Sequence, residues 1–339
     1  MNQSNVPAVQ YINVSKTYQS KKAPDFTALK NFDLTINQGD FFGLLGPNGA
    51  GKSTAINLLC TVARISSGQI KVMGNDIQTH ETECKRLLGI VSQEIMADSF
   101  FALPLMLKLQ SKLSGVRPDL EWIDYLLRKL ALIDHVKKTT RELSGGMKRR
   151  MMIARALVHK PKIIVLDEPT AGVDVELRHS MWQFISELHG MGLTVILTTH
   201  YLEEAEQFCN RLAILKKGEL VTLKSNKELM ELGSQPRIIY LFEPTDVGPK
   251  NMQWFESTTA GWASALLEKG IEFKMQEDIQ TVGDAAGYSL SCNFDEKKPE
   301  TFQDATQKLS IFCASKNLVP TLVTTAKPSL EEVFLKLAF

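Results

Sequence analysis

Gly46-Pro47-Asn48-Gly49-Ala50-Gly51-Lys52-Ser53 matches the pattern G-x-x-x-x-G-K-[ST], and the apolar run Phe41-Phe42-Gly43-Leu44-Leu45 stands immediately before it. The run predicts a fully buried strand, and Ser53 to Cys60 predicts a helix. Strand, glycine loop and helix in that order allow backbone N–H groups to face phosphates, with the positive end of the helix dipole behind them. Lys52 supplies a point charge between β- and γ-phosphates, and the Ser53 hydroxyl is placed to ligate Mg²⁺. Thr54 follows on the same first turn and is grouped with the loop as a nucleotide contact.

Upstream of the loop, Phe32, Leu34 and Ile36 alternate with polar residues and predict a half-buried strand that turns at Gly39-Asp40. Residues 94 to 142 carry Leu103, Leu105, Leu107 and Leu113, then Trp122, Leu126, Leu127 and Leu130, at helical spacing. They predict a helical insert between two halves of a sheet. Buried strands return at Ile163 to Leu166, Thr194 to Leu197 and Leu212 to Leu215, separated by helical stretches, as a parallel α/β sheet requires. The first domain is placed at residues 8–222, with the insert at about 94–142.

A second domain is placed at 235–339. Strands are expected at Ile238 to Phe242, Ile271 to Met275, Tyr288 to Phe294 and Leu318 to Val323. Helices are expected around Trp262 to Glu268 and on the face made by Phe302, Ala305, Leu309 and Phe312. The order β-α-β-β-α-β suggests a ferredoxin-like unit. Ser329-Leu330-Glu331-Glu332 reads as a capping box for a last amphipathic helix carrying Val333, Phe334 and Leu337.

Asp167 and Glu168 end the Ile163 strand, and ligands of open α/β sheets bind at the carboxyl ends of strands. Asp167 is therefore the expected partner of Mg²⁺, and Glu168 the group that orients and deprotonates an attacking water. A second glycine turn, Leu143-Ser144-Gly145-Gly146, opens a helix whose N–H groups make another phosphate site in the same chain. One nucleotide does not need two cradles. Lys148, Arg149 and Arg150 follow that turn, and because consecutive helical residues diverge they are expected to be solvated or paired. Glu203, Glu204 and Glu206 are expected to form an exposed helix face.

Composition limits the remaining possibilities. Among 339 residues, 39 Lys and Arg balance 38 Asp and Glu, so no global field favours nucleic acid or an anionic membrane. Five scattered cysteines without a C-x-x-C argue against a disulfide framework or zinc site and fit a reducing cytosol. The polar start Met1 to Val6 has no apolar stretch of the signal-peptide kind. Phe100 to Leu109, interrupted by Pro104 and Lys108, falls short of the roughly 20 apolar residues of a membrane span.

The two glycine turns and the Asp-Glu strand end, in this order, resemble the ATP-binding subunits of ABC transporters over roughly residues 8 to 222. The resemblance implies an α/β P-loop NTPase with an antiparallel β subdomain and the helical insert, followed by a small C-terminal α+β domain. It implies a head-to-tail dimer with ATP between the copies, Ser144, Gly145 and Gly146 of one copy closing on nucleotide held by the loop of the other. Gln93 looks like the Q-loop glutamine joining Mg²⁺ and water to the insert, and Asp174 resembles the interfacial D-loop aspartate. His200 looks like the switch histidine that meets the γ-phosphate, and Tyr18 resembles the aromatic that stacks on adenine. Met147 stands where many relatives have Gln.

Met-Lys-Arg-Arg at 147–150, Thr-Ala-Gly-Val-Asp at 170–174 and Lys-Pro-Ser-Leu-Glu-Glu-Val-Phe at 327–334 further resemble the ATPases of ABC-2 type exporters. That implies a separate polytopic permease seated on the insert, and a location on the cytoplasmic membrane face through it. Two other readings are carried along, an importer ATPase with a regulatory tail and a soluble nucleic-acid ABC ATPase. Only 115 residues separate Lys52 from Asp167, too few for the long coiled coil of repair and chromosome ATPases, so no nucleic-acid partner is expected.

Overall fold

Two sheets share one core. In the first, β1 (Val9–Tyr18) lies between β2 (Phe26–Ile36) and β4 (Ser67–Val72), with the two-residue β5 (Asn75–Asp76) beyond, all neighbours antiparallel. In the second, β3 (Phe41–Leu45), β6 (Leu88–Val91), β7 (Ile163–Asp167), β8 (Thr194–Thr198), β9 (Arg211–Lys216) and β10 (Glu219–Ser225) take the order β10-β9-β3-β8-β7-β6. Every pairing there is parallel except β9 with β10. All five residues of β3 are buried, as expected for a parallel strand covered on both faces. The computed structural model describes residues 6–19, 24–92, 100–170, 172–173, 175–232, 236–242, 271–276, 287–293, 298–315, 319–326 and 329–338.

Helix α1 (Lys52–Leu59) joins the sheets. Its Ala55, Ile56, Leu58 and Leu59 share one buried cluster with Val9, Leu29 and Phe32 of the antiparallel sheet and Leu44, Val165 and Ile196 of the parallel one. Tyr11 Oη donates to the Ala55 carbonyl at 3.0 Å, so the helix behind the glycine loop is pinned by a hydrogen bond as well as by packing. α2 (Glu81–Leu87), α5 (Gly145–Leu157), α6 (Val175–Gly190), α7 (Leu202–Phe208) and α8 (Asn226–Glu231) also lie between or after the strands of this unit. β10 runs to Ser225 and α8 buries Leu229. The compact unit thus comprises Met1–Leu229 together with Phe334–Phe339.

The insert holds α3 (Leu103–Leu113) and α4 (Leu120–Lys129). α3 buries Leu103, Met106, Leu107 and Ser111, whereas Leu105 and Leu113, expected on the same stripe, are exposed. The 3.6-residue period explains the difference: positions two and ten beyond Leu103 rotate away from its face. Asp119 caps α4 by accepting from Trp122 N at 3.0 Å, and Trp122 Nε1 donates to the Leu157 carbonyl at 3.0 Å, tying α4 to α5.

The second unit, Met230–Val333, contains β11 (Arg237–Phe242), β12 (Ile271–Gln276), β13 (Gly287–Asn293) and β14 (Leu322–Ala326). Their order is β12-β13-β11-β14 with antiparallel neighbours throughout. α9 (Pro299–Ser315) packs Ala305, Leu309 and Phe312 inward, while Phe302, expected with them, is exposed at the first turn. β14 begins at Leu322, later than the expected Leu318, since Pro320 has no N–H for a ladder. The helix expected around Trp262 to Glu268 falls outside the described residues, as does Phe294. α10 (Leu330–Ala338) opens with Glu332 N donating to Ser329 Oγ at 3.3 Å; the Glu332 carboxylate takes Arg237 Nη2 at 2.6 Å.

Candidate nucleotide site

The loop after β3 is built by close approach of backbones. A Cβ at Gly46 would sit 2.6 Å from the Leu215 carbonyl oxygen, and one at Gly51 2.8 Å from that of Ala28. Gly51 also holds φ at +109°, which side-chain-bearing residues rarely adopt. Gly218 N donates to the Ala50 carbonyl at 2.9 Å, closing the loop against the β9–β10 turn. Gly49, at the tip, would meet nothing within 4 Å. Pro47 is half-buried, Asn48 and Ser53 are exposed, and Thr54 is half-buried, so the loop presents its tip and the first helical turn outward.

Lys52 Nζ donates to the carbonyls of Gly46 at 2.6 Å and Pro47 at 3.1 Å, folding across the mouth of the loop. Burial lowers its pKa, and Glu168 and Asp167 oppose that shift, so ammonium and carboxylates lie within electrostatic reach. Asp167 ends β7 and accepts from Thr198 Oγ1 at the end of β8. Burial raises its carboxyl above the usual carboxylate range, and Glu168 adds to the rise. Glu168 sits at φ +49°, with its N–H on the Thr198 carbonyl at 2.9 Å and Oε2 3.5 Å from His200 Nδ1. Lys52, Asp167, Glu168 and His200 thus gather at the carboxyl ends of parallel strands, where a ligand of such a sheet binds.

The second turn is different. Ser144 caps α5 by accepting from Met147 N at 3.3 Å, Ser144 and Gly145 are exposed, and a Cβ on Gly145 would meet nothing within 4 Å. Gln93 and Asp174 lie outside the described residues. Tyr18 closes β1, half-exposed, paired across the strands with Phe26 and carrying Lys16 Nζ 4.7 Å from its ring centre.

Of two expectations from sequence, one resolves to a single alternative and the other needs correction. Arg149 and Arg150 are paired, not solvated, and buried: Arg149 donates to the carbonyls of Ser92 and Glu168, each at 2.6 Å, and Arg150 to those of Leu130 and Ala131. Long stems let both guanidiniums reach strand and helix ends that helical position alone does not reveal. Glu204 is likewise buried, accepting from Trp182 Nε1 at 3.2 Å and Thr199 Oγ1 at 2.8 Å, which fixes the residue before His200; Glu203 stays exposed. Thr198 and Arg149, which hold Asp167 and Glu168, carried no local pattern that marked them. Only their partners in space do.

A family model described as "ABC transporter" matches residues 29–171. The Nod factor export ATP-binding protein I of Cupriavidus metallidurans is 34% identical over 225 residues, covering 66% of this chain and 73% of that protein. The chain belongs to the ABC transporter family. The daunorubicin resistance ATP-binding protein DrrA3 of Streptomyces coeruleorubidus is 35% identical over 71% of this chain and 76% of its own length. Among solved structures, a dimeric ATP-binding cassette in a post-hydrolysis state, bound to ADP and Pi, superposes with a TM-score of 0.60 at 27% identity. That match covers 64% of this chain and 98% of the cassette. This ABC protein is an ATPase subunit of the export type, binding ATP, and the importer and nucleic-acid readings are not favoured. Among its described residues no helix is long and apolar enough to cross a membrane.

Proposed function

We propose that two copies of the chain close head to tail on two ATP molecules and that this closure drives a separate membrane permease that exports a cargo. The observation that carries the reading is the split of the machinery: Lys52, Asp167, Glu168 and His200 converge, while Ser144 and Gly145 present an open helix N-terminus to solvent. Gly46, Pro47, Asn48, Gly49, Ala50, Gly51, Lys52, Ser53 and Thr54 cradle the phosphates, Tyr18 meets the base, and Ser144 to Gly146 serve the partner's ATP. Gln93 and Asp174 take the loop roles that family resemblance implies.

Mg²⁺ fits the donors present. A carboxylate and an exposed hydroxyl, Asp167 and Ser53, leave positions for phosphate oxygens and water, as this cation prefers, and no cluster of three or more His, Cys, Asp or Glu competes among the described residues. Once bound it would neutralise charge between the terminal phosphates. Lys52 exchanges its two loop carbonyls for phosphate oxygens. Glu168, facing His200, takes a proton from the attacking water, and His200 orients against the terminal phosphate.

The permease would sit on the groove of about 520 Å³ between α2 and α3, floored by Met152, Ala156 and His159 of the α5 region and edged by exposed Leu113 and Ile90. Apolar Met152, Ala156, Leu113 and Ile90 with a basic rim of Lys85, Arg86 and Arg155 suit a short helix of a membrane protein, which would hold the chain at the cytoplasmic membrane face. The cargo class follows the relatives' names, Nod factor and daunorubicin. We read the second unit as ferredoxin-like from its strand order.

Glu168→Gln tests the core of this reading. It should keep ATP binding, lose turnover by about 10²- to 10⁴-fold and elute as an ATP-dependent dimer. Undiminished hydrolysis, or no pairing on ATP, would refute it.

A further inference from the structure

Arg149 stands one helical turn beyond Gly146 on α5, so the residues offered to a partner's nucleotide and the Arg149 side chain share one rigid element. Its guanidinium is buried and bridges two main-chain carbonyls, Ser92 after β6 and Glu168 after β7. Val91 and Leu166 are register partners in the parallel β6–β7 pair, so both carbonyls leave the same end of the sheet. One belongs to the residue preceding Gln93, the other to the general base itself. Glu168 holds a left-handed backbone conformation uncommon for a non-glycine residue, and such a conformation persists only where surrounding bonds over-determine it. The Thr198 carbonyl holds its N–H and Arg149 holds its C=O, one bond from each side.

We propose that Arg149 is the positioning residue that couples the two nucleotide sites: closure of Ser144–Gly146 on the partner's ATP is relayed through α5 and Arg149 to Glu168 and to Ser92 of the same chain. The inference rests on the two-copy reading above and adds a path to it. Through that path a copy gains a correctly aimed base only when it is itself serving its partner's nucleotide. Hydrolysis at one site then depends on occupancy of the other, without any contact between the two ATP molecules.

The test uses the full chain with MgATP and compares Arg149→Met and Arg149→Lys, each alone and combined with Glu168→Gln. Met keeps most of the side-chain volume but withdraws the donor from both carbonyls, so thermal melting is read beside turnover and the lysine variant, which keeps a cation, separates loss of fold from loss of relay. Turnover of Arg149→Met should fall at least about tenfold, since small displacements of a catalytic group are costly. Its Hill coefficient for ATP should move from near two towards one, while ATP affinity of the single chain stays within about twofold of wild type. Lysine should recover part of the turnover, because an ammonium can reach one carbonyl but cannot fork to both. Arg149→Met with Glu168→Gln should still pair on ATP as Glu168→Gln does. Wild-type turnover and cooperativity in Arg149→Met would overturn the proposal. So would loss of pairing in the double variant alone, which would make Arg149 a general brace of α5. Failure of Glu168→Gln itself to pair would instead remove the two-copy reading on which the relay depends.

Discussion

Gly51 and Gly145 both stand at the start of a helix, in turns that read alike in sequence, yet their surroundings are opposite. A side chain at Gly51 or Gly46 would run into main-chain carbonyls of Ala28 or Leu215, which cannot move aside without shifting a strand. A side chain at Gly145 would enter empty space, and at Gly146 it would make only an ordinary contact with the Gly172 carbonyl at 3.9 Å. The first turn needs its glycines for the chain's own fold. Nothing among the described residues asks for the second pair, as the proposed closure on a partner's nucleotide requires of a turn whose bare backbone N–H groups face outward. Gly49 stays with the first class despite the open space at the loop tip, because its φ of +78° is one that side-chain-bearing residues rarely adopt.

The comparison breaks first at Gly51→Ala and Gly46→Ala. Each should lose on the order of 1–3 kcal/mol of stability from backbone conformation or overlap alone, with ATP binding lost alongside. Thermal melting and nucleotide titration would show it, and a stable, ATP-binding Gly51→Ala would erase the contrast. Gly145→Ala and Gly146→Ala should leave stability within about 1 kcal/mol of wild type, or raise it, because alanine is the better helix residue. Single-chain ATP affinity should be unchanged while turnover falls at least about tenfold, as a methyl keeps the partner's phosphates from the N–H groups. Lost folding in Gly145→Ala would place the requirement inside the chain after all.

Asp167→Asn probes a smaller effect, confined to the first turn's neighbourhood. Burial, reinforced by Glu168, raises the Asp167 carboxyl, so its ionised form works against folding at neutral pH when no nucleotide is present. That cost is in full force above the raised folded-state value and fades as pH falls through it towards the ordinary carboxyl value. The Asn variant, which keeps an acceptor for Thr198, should therefore melt above wild type at pH 7 without nucleotide. The gap should close on acidification. A gap that widened would reverse the sign assigned to the burial of Asp167.

Much of the site was legible because its residues sit on local patterns. The strand before Gly46, the acids after Ile163 to Leu166 and the histidine after Thr194 to Leu197 each follow an apolar run, and parallel strands bring such run-ends to one edge of a sheet. Arg149 and Glu204 were not legible. A charge run is usually a solvated face, and nothing near Arg149 in sequence announces two carbonyls 57 and 19 residues away. Leu105, Leu113 and Phe302 went the other way, apolar yet exposed, because hydrophobic identity bounds a face without fixing its edge.

The sequence by itself determined the fold class and marked the glycine loop and the two strand-end acids, since both follow from backbone geometry that a few neighbouring residues dictate. Only the tertiary structure decided which glycines are hemmed in by distant backbone and which face open space. It alone decided that Arg149 ties the second turn to Glu168. Both depend on backbone far apart in sequence coming close, which packing sets and local pattern does not: no room for a Cβ at Gly46 or Gly51, and two carbonyls 2.6 Å from the Arg149 guanidinium.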